Sequence, residues 1–509
     1  MTTVLAVDQG TSSTKALVVG PEGEVLGEAE AAVHPIALDG GGVEQDPEEL
    51  WRSVVDAGAA AVRAAATPID AVALSNQGET VLAWDRSTGS PATPALVWQD
   101  RRAASVCERL RAHGPRLAAL TGLELDPYFV APKITWLREH VTREGVATTT
   151  DAWLLHRLCG AFVTDAATAS RSLLLDLDGV AWAPEATGLF GVEADELPEI
   201  VTCAEPVGTT TTFGPEVPVV GLAVDQQAAL FAEGCLAAGE AKCTYGTGAF
   251  LLATTGAEPR RSQSGLVACI AWQLPSAGGG RPVTTYCLDG QVYTVGAALH
   301  WLTEVGVVNE AADLDRIGGQ ADGAGGATFV PGLAGLAAPF WEPNARGAFT
   351  GLSLATTRAE LVRAVIEGVA AQVAWLARAV RDDLGVPLAR LRVDGGLTRS
   401  RVLMQTQADL LQAPVEVYVS PHATALGVAA FARLGLGAAA TAADAVGAWE
   451  PAAVYEPRAS RDEADTLLDG DPDLRRIRRQ ERVAAGDEAR LGRARLGVEA
   501  GVEDGRVGL

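Results

Sequence analysis

The chain has 509 residues, and its 64 acidic and 40 basic side chains give a formal net charge of −24 at pH 7. This charge repels a polyanionic backbone, so we expect no nucleic-acid partner. No run of ~18 apolar residues occurs, and no basic secretory start precedes Asp8, so the sequence predicts a cytoplasmic protein without a membrane partner.

The first part of the chain predicts alternating strands and helices. Residues 3–7, 15–19 and 24–33 predict an antiparallel meander, because apolar, β-branched runs alternate with polar, glycine-bearing turns. Helical spacing over 48–64 is followed by predicted strands at 71–75, 81–85 and 219–224 and a helix at 226–232. This alternation predicts an α/β fold.

A second unit begins near Gly239. Predicted strands at 241–245 and 249–255 repeat the opening hairpin, and helices are predicted at 360–384, 401–412 and 423–437, with a strand at 391–393. We therefore place one domain at residues 1–233 and a second at 234–458. Residues 459–509 are rich in charge, which predicts a partly disordered tail.

Three glycine-bearing turns are candidate nucleotide contacts. Residues 10–15 combine backbone N–H groups, hydroxyls and Lys15, a set that suits phosphate oxygens, although a serine- and threonine-rich hairpin turn is the plain alternative. Asp8, just before it, is a carboxylate that can hold Mg²⁺ through water. Residues 246–248 repeat the turn, and residues 394–396 offer a strand-to-helix turn for a base or ribose. Together they predict a nucleotide between two domains.

Two further residues are open to more than one interpretation. Asp225 follows a mostly apolar predicted strand, where it is a candidate general base, and a helix-capping role is the alternative. His300 lies in an apolar run, which favours a core or cleft histidine over a metal ligand.

Eight motifs stand in the order found in one known family, and over roughly residues 3–458 the chain resembles the FGGY carbohydrate kinases. The motifs lie at residues 8–15, 76–80, 98–102, 126–129, 225–227, 244–248, 335–347 and 394–396. The resemblance implies two ribonuclease-H-like domains of the actin and hexokinase superfamily, with ATP and substrate in the cleft between them.

The same resemblance implies an activity, which is Mg²⁺- and ATP-dependent phosphorylation of a polyol, with glycerol as the leading substrate. A kinase for a longer polyol or ketose, similar to erythritol, xylitol or xylulose, is the alternative, and an actin-like ATP-binding protein without kinase activity is a more remote one. A homo-oligomer, dimeric or tetrameric, is also expected.

Site residues carried over from the family fall into two groups. The nucleotide group comprises Thr11, Ser12, Ser13, Lys15, Thr247, Gly296, His300, Gly396 and Ser400. The polyol group comprises Glu79, Trp98, Tyr128, Asp225, Gln226 and Phe250. Within these groups Asp225 is implied to be the base, and Asp8 and Asp225 are implied to serve Mg²⁺.

The chain departs from the family at Gly78, where members that phosphorylate glycerol carry an arginine that donates to the substrate hydroxyls. His300 and Ser400 also replace a glutamine and an asparagine, both mild changes because each side chain still forms hydrogen bonds. At Gly78 either a neighbour such as Arg101 or Lys133 supplies the missing donors, or the pocket is wider and takes a longer substrate.

Overall fold

The structure, a computed structural model, describes residues 2–276, 278–310 and 312–470. The strands before residue 233 are β1 Val4–Gln9, β2 Ser13–Val19, β3 Val25–Ala32, β4 Ile36–Leu38, β5 Gly42–Gln45, β6 Ala71–Asn76, β7 Val81–Asp85, β8 Ser90–Pro91, β9 Ala95–Leu96, β10 Val146–Thr149, β11 Val163–Asp165, β12 Leu175–Asp176, β13 Ala181–Trp182, β14 Glu199–Val201, β15 Gly208–Thr210 and β16 Val217–Val224. The helices there are α1 Pro47–Ala65, α2 Ala104–Leu110, α3 Gly114–Thr121, α4 Val130–His140, α5 Thr150–Cys159, α6 Ala166–Ser170, α7 Pro184–Phe190 and α8 Asp225–Ala232.

The later strands are β17 Ala241–Tyr245, β18 Ala249–Gly256, β19 Val267–Leu274, β20 Val283–Val292, β21 Thr328–Val330, β22 Ala348–Thr350, β23 Leu391–Asp394, β24 Val415–Val417 and β25 Ala453–Tyr455. The later helices are α9 Gly296–Glu304, α10 Asp313–Gly318, α11 Arg358–Leu384, α12 Arg401–Leu411, α13 Ala423–Gly435, α14 Ala442–Val446 and α15 Arg461–Gly470.

Two large sheets repeat one local arrangement. The first has the order β15-β16-β6-β1-β2-β3, in which β1 pairs antiparallel with β2 and parallel with β6. The second has the order β19-β20-β18-β17-β23-β24-β25, in which β17 pairs antiparallel with β18 and parallel with β23. The predicted α/β class, the meander and the repeated hairpin are therefore confirmed, and the sheet order is that of a ribonuclease-H-like fold.

The long helix α11 builds the core of the second unit. Thr357 begins it with a reciprocal capping box to Glu360, and Gly385 ends it in the left-handed conformation, with φ of 74°. One face buries a continuous apolar stripe that includes Val369 and Leu376, packed against β18 and β20. The helix matches the predicted span of 360–384 closely, because local capping residues mark both its beginning and its end.

Helix α13 packs across the first sheet although it comes late in the chain. It lies against α8, β1, β6 and β16. A Cβ at Gly427 would lie only 2.0 Å from the Ala228 carbonyl oxygen, so the two helices approach at a distance that only glycine permits. This contact fixes α8, and with it Asp225 at the first position of α8, against the sheet.

The first residues of the predicted tail belong to the packed structure. Helix α15 lies against α11 and α12, and its Ala464 and Leu468 are buried in the core of the second unit. The rest of the predicted tail, residues 471–509, lies outside the described residues. Among the helices of the described ranges, none combines the length and the apolar composition needed to cross a bilayer.

Candidate active site

The first two glycine-bearing turns, at residues 10–15 and 246–248, each connect a pair of antiparallel strands. Between β1 and β2, the Gly10 N–H donates to the Ser13 carbonyl at 3.0 Å, and a Cβ on Gly10 would lie 2.9 Å from that oxygen. Thr11, Ser13 and Lys15 are half-buried around the turn and Ser12 is exposed. Between β17 and β18, the Gly246 N–H donates to the Gly248 carbonyl at 2.9 Å, and Thr247 stands exposed between the two glycines.

Helix α9 starts against the second turn. The Gly296 N–H donates to the Gly246 carbonyl at 3.1 Å, and a Cβ on Gly296 would lie 2.6 Å from that oxygen. His300, one turn later, has 76% of its side chain exposed and lies 3.5 Å from Glu304. The core position considered for His300 is wrong, because the apolar face of α9 is made by its neighbours Leu299 and Leu302 and leaves His300 on the other side.

The third turn follows β23. Gly395 has φ of 95°, and a Cβ there would lie 2.4 Å from the Tyr245 carbonyl, so the chain passes close to β17. Gly396 is exposed, with no atom within 4 Å of a Cβ built on it. The Ser400 hydroxyl, in contrast, is buried and held by Asp315 Oδ1 at 2.5 Å and by the Leu403 N–H, where it begins α12.

Three carboxylates lie at strand ends, Asp8 at β1, Asp225 after β16 and Asp394 at β23, and the charges of the other two act on Asp8. Desolvation, and then the charge of Asp225, raise the pKa of Asp8 to about 7; Lys15 opposes this rise and Asp394 adds to it. Asp394 Oδ1 is buried without a hydrogen-bond partner. A cation near these strand ends would offset the repulsion between the carboxylates.

Asp225 is the first residue of α8, and the N-cap position falls on Val224 without a side-chain cap, so the helix-capping alternative is wrong. The Asp225 Oδ1 accepts the N–H of its neighbour Gln226 at 2.7 Å. Burial raises the pKa of Asp225, while the nearby Lys242 acts in the opposite direction. The charge of Asp225 also acts on Asp8, and the role of Asp225 as a general base stays a prediction.

Lys242 organises the amide beside this base. It is fully buried on β17, and its Nζ donates to Gln226 Oε1 at 2.5 Å and to Thr244 Oγ1 at 2.7 Å. The side-chain amide of Gln226 is thereby oriented, with its Nε2 3.4 Å from Asp225 Oδ2. The sequence analysis missed Lys242, and its position two residues before Thr244 on a buried strand was the available signal.

Three aromatic rings from distant segments stand together. The Trp98 ring centroid lies 5.8 Å from that of Tyr128 and 6.0 Å from that of Phe250, both edge to face. Trp98 Nε1 donates to Thr11 Oγ1 at 2.9 Å, which joins the aromatic cluster to the first glycine turn. Aromatic faces of this kind suit the C–H groups of a polyol.

Glu79 contacts a cation that the sequence analysis also missed. Arg171 Nε donates to Glu79, Arg171 Nη1 donates to Asp289 Oδ2 at 2.5 Å, and Nη2 lies 3.4 Å from the Tyr128 hydroxyl. Burial raises the pKa of Glu79, and Arg171 limits the rise. No local pattern in the sequence marks Arg171, because its burial is seen only in the structure.

The two cations proposed to replace the missing arginine are held elsewhere. Arg101 Nη1 donates to Asp126 Oδ1 at 2.9 Å. Lys133 Nζ donates to the backbone carbonyls of Tyr128 and its two neighbours in the chain. Arg171, rather than either of them, is the cation paired with Glu79.

Gly78 itself lies next to Val224. Its φ is 58°, and a Cβ built on it would lie 2.8 Å from Val224 Cγ2. The position therefore combines a left-handed backbone with a close neighbour on the strand that leads to Asp225, and the present packing leaves no room for a side chain there.

Comparison with known proteins accounts for this arrangement. A family model described as the FGGY family of carbohydrate kinases, N-terminal domain, matches residues 3–232, and the corresponding C-terminal domain matches residues 241–436. A glycerol kinase from Thermus brockianus is 42% identical over 485 residues, which cover 92% of this chain and 96% of that protein. A glycerol kinase from Alkalilimnicola ehrlichii is 41% identical over 488 residues, with the same two coverages.

Among solved structures, that of Plasmodium falciparum glycerol kinase with ADP aligns with a TM-score of 0.84. The two sequences are 28% identical, and the alignment covers 92% of this chain and 96% of the Plasmodium falciparum chain. The two matched domains and these relatives extend over most of the chain. The protein belongs to the FGGY family of carbohydrate kinases.

Proposed function

We propose that the protein transfers the γ-phosphoryl group of ATP to glycerol, forming glycerol 3-phosphate and ADP. The observation that carries this proposal is the hydrogen bond from Trp98 to Thr11, because it joins an aromatic, carboxylate-lined pocket to a glycine turn suited to phosphate. Its relatives of about 40% identity, named glycerol kinases, support the same substrate.

The polyol is held by groups of complementary chemistry. Glu79 and Asp225 accept hydrogen bonds from hydroxyls, and Gln226, oriented by Lys242, both donates and accepts. The faces of Trp98 and Phe250 cover the carbon chain. Held in this way, one hydroxyl lies beside the carboxylate of Asp225.

Asp225 takes the proton in the transfer step. The hydroxyl oxygen forms a bond to the γ-phosphorus while the bond from that phosphorus to the β–γ bridging oxygen breaks, and the hydroxyl proton passes to Asp225. Burial, which raises the pKa of Asp225, favours its role as proton acceptor. The electron pair of the broken bond stays on ADP.

The nucleotide lies across the three glycine turns in this proposal. Thr11, Ser12, Ser13 and Lys15 contact the phosphates from one side and Thr247 from the other. Gly296, His300 and Gly396 border the rest of the nucleotide, while Ser400, whose hydroxyl is bonded to Asp315 and to the Leu403 N–H, positions the start of α12.

The residues at the strand ends fit a magnesium ion. Asp8 and Asp225 would supply carboxylate oxygens, the ligand type that Mg²⁺ prefers. Desolvation and the charge of Asp225 raise the pKa of Asp8, and a cation there would offset the second effect. Among the described residues no group of three or more His, Cys, Asp or Glu side chains is placed to hold a metal, and phosphate oxygens and water would be the remaining ligands. When bound, the ion neutralises phosphate charge.

The test is coupled ADP release with and without glycerol, with the product identified by ³¹P NMR. The proposal predicts ADP release that depends on glycerol and Mg²⁺ and a phosphomonoester signal of glycerol 3-phosphate. ATP hydrolysis at the same rate without glycerol, and no phosphorylated polyol, would instead favour an ATP-binding protein that is not a kinase.

A further inference from the structure

A buried polar wall stands beside the polyol pocket. Asp289 and Gln291 are two residues apart on β20 and therefore point to the same face of the sheet. Gln291 pairs in register with Phe250, one of the three pocket aromatics. Both polar side chains are almost fully buried, with exposures of 1% for Asp289 and 0% for Gln291.

Each of these side chains has one acceptor oxygen without a partner. Gln291 Nε2 donates to Asp289 Oδ2 at 2.9 Å, and Arg171 Nη1 donates to the same oxygen. Asp289 Oδ1 and Gln291 Oε1 make no hydrogen bond. The amide orientation of Gln291 is fixed, because only its NH₂ group can donate to a carboxylate. Buried acceptors left unpaired cost free energy, so a ligand that donates to them is favoured.

The charge at this wall suits a neutral donor. Arg171 is the cation for two carboxylates, Glu79 and Asp289, so the group keeps an excess of acceptors. The contact of Nη2 with the Tyr128 hydroxyl is long, at 3.4 Å, which leaves an N–H of Arg171 for a further acceptor. Hydroxyl groups both donate and accept, so they match this set.

We propose that Asp289, Gln291 and Arg171 form a second hydroxyl-binding subsite beside Glu79, which takes the extra hydroxyl-bearing carbons of a linear four- or five-carbon polyol. The inference rests on the proposed function, because it extends the same pocket. Glycerol leaves this subsite unfilled, whereas a longer polyol places a hydroxyl between the two free oxygens and Arg171.

The experiment compares kcat/KM for glycerol, erythritol and xylitol in the wild type and in Gln291→Leu. We expect the wild type to phosphorylate at least one of the longer polyols. In Gln291→Leu the ratio of kcat/KM for that polyol to kcat/KM for glycerol should fall about 10-fold, the effect of one lost hydrogen bond. Gln291→Asn, which shortens the side chain and keeps the amide, should give a smaller fall in the same ratio.

Gln273→Leu is the matched control. Gln273 lies on the neighbouring strand β19, where it pairs with Thr284 of β20. Thr284 precedes Gln291 by seven positions, which is roughly 23 Å along β20. Gln273→Leu makes the same chemical change in the same sheet and should leave the ratio unaltered. Thermal melting of each variant shows whether the fold is kept.

The outcomes separate the two proposals. If glycerol is phosphorylated but no longer polyol is phosphorylated or competes with it, the second subsite is refuted while the glycerol kinase function stands. An unaltered ratio in a folded Gln291→Leu or Gln291→Asn variant also refutes the subsite. If no polyol, glycerol included, is phosphorylated, both proposals fail.

Discussion

Gly78→Arg tests whether Val224 closes the position where related kinases carry an arginine. The left-handed backbone costs a non-glycine residue roughly 1–2 kcal/mol. The 2.8 Å approach of a Cβ to Val224 Cγ2 adds overlap of the kind that costs about 1–3 kcal/mol in a packed core. We therefore expect Gly78→Arg alone to lower the free energy of unfolding by about 2–5 kcal/mol.

Val224→Ala should relieve this overlap. Val224 is 1% exposed, so losing its methyl groups costs about 2 kcal/mol by itself. In the double variant the overlap disappears, so its loss of stability should be about 1–3 kcal/mol smaller than the sum of the two single losses. The arginine should then donate charged hydrogen bonds to glycerol, worth ~1.5–3 kcal/mol, and lower the KM for glycerol about 10- to 150-fold relative to Val224→Ala.

The assay is a double-mutant cycle of urea denaturation together with initial rates on glycerol. If the losses of stability in Gly78→Arg and Val224→Ala simply added up in the double variant, Val224 would not be what prevents a side chain at residue 78. An unchanged KM for glycerol in a folded double variant would show that a side chain at residue 78 does not reach the substrate, and the reasoning about the wider pocket would then be wrong.

Three further predictions follow from individual contacts. The pKa of Asp8 is raised to about 7, so its ionisation opposes folding from about pH 4 upward and fully above pH 7. Asp8→Asn should therefore raise the melting temperature of the ligand-free protein more at pH 7.5 than at pH 4.5. An equal effect at both pH values would contradict this prediction. Lys242 opposes the rise of the Asp225 pKa, so Lys242→Met should move the acidic limb of the kcat/KM profile to higher pH, and an unmoved limb would refute the role. Gly427→Ala places a Cβ 2.0 Å from a carbonyl oxygen of α8 and should lower the free energy of unfolding by about 3 kcal/mol. Its control is Gly188→Ala, in open space on α7, which should leave the free energy of unfolding from chemical denaturation unchanged or slightly higher.

Much of the fold follows from local patterns in the sequence. The β-branched runs and glycine turns of the first meander, and the capping signals at Thr357 and Gly385, define their elements directly. The parallel pairing of β1 with β6, and the packing of α13 on the first sheet, join residues distant in sequence and depend on the complete core. Such contacts required either the resemblance to a family or the structure. The cytoplasmic location and the homo-oligomeric state stay predictions.

The candidate site divides in the same way. Residues carried by motifs, such as Thr11 and Trp98, were named in advance and lie within hydrogen-bond distance in the structure. Arg171 was not, because its partners are Glu79 and Asp289, 92 and 118 residues away in the chain, and no local pattern marks it. The candidates Arg101 and Lys133 failed because nearer acceptors already hold them.

The central claim is that Asp225 accepts the substrate proton during phosphoryl transfer, and Asp225→Asn tests it most directly. This change keeps the shape of the side chain and removes the acceptor, while Asp444→Asn, at the start of the surface helix α14, makes the same change away from the cleft. The measurement is glycerol-dependent ADP release, with ATP affinity determined separately. We predict that Asp225→Asn lowers kcat by ~10²–10⁴-fold with ATP binding largely kept. Turnover close to that of the wild type and of Asp444→Asn would show that Asp225 is not the proton acceptor, and would contradict the account.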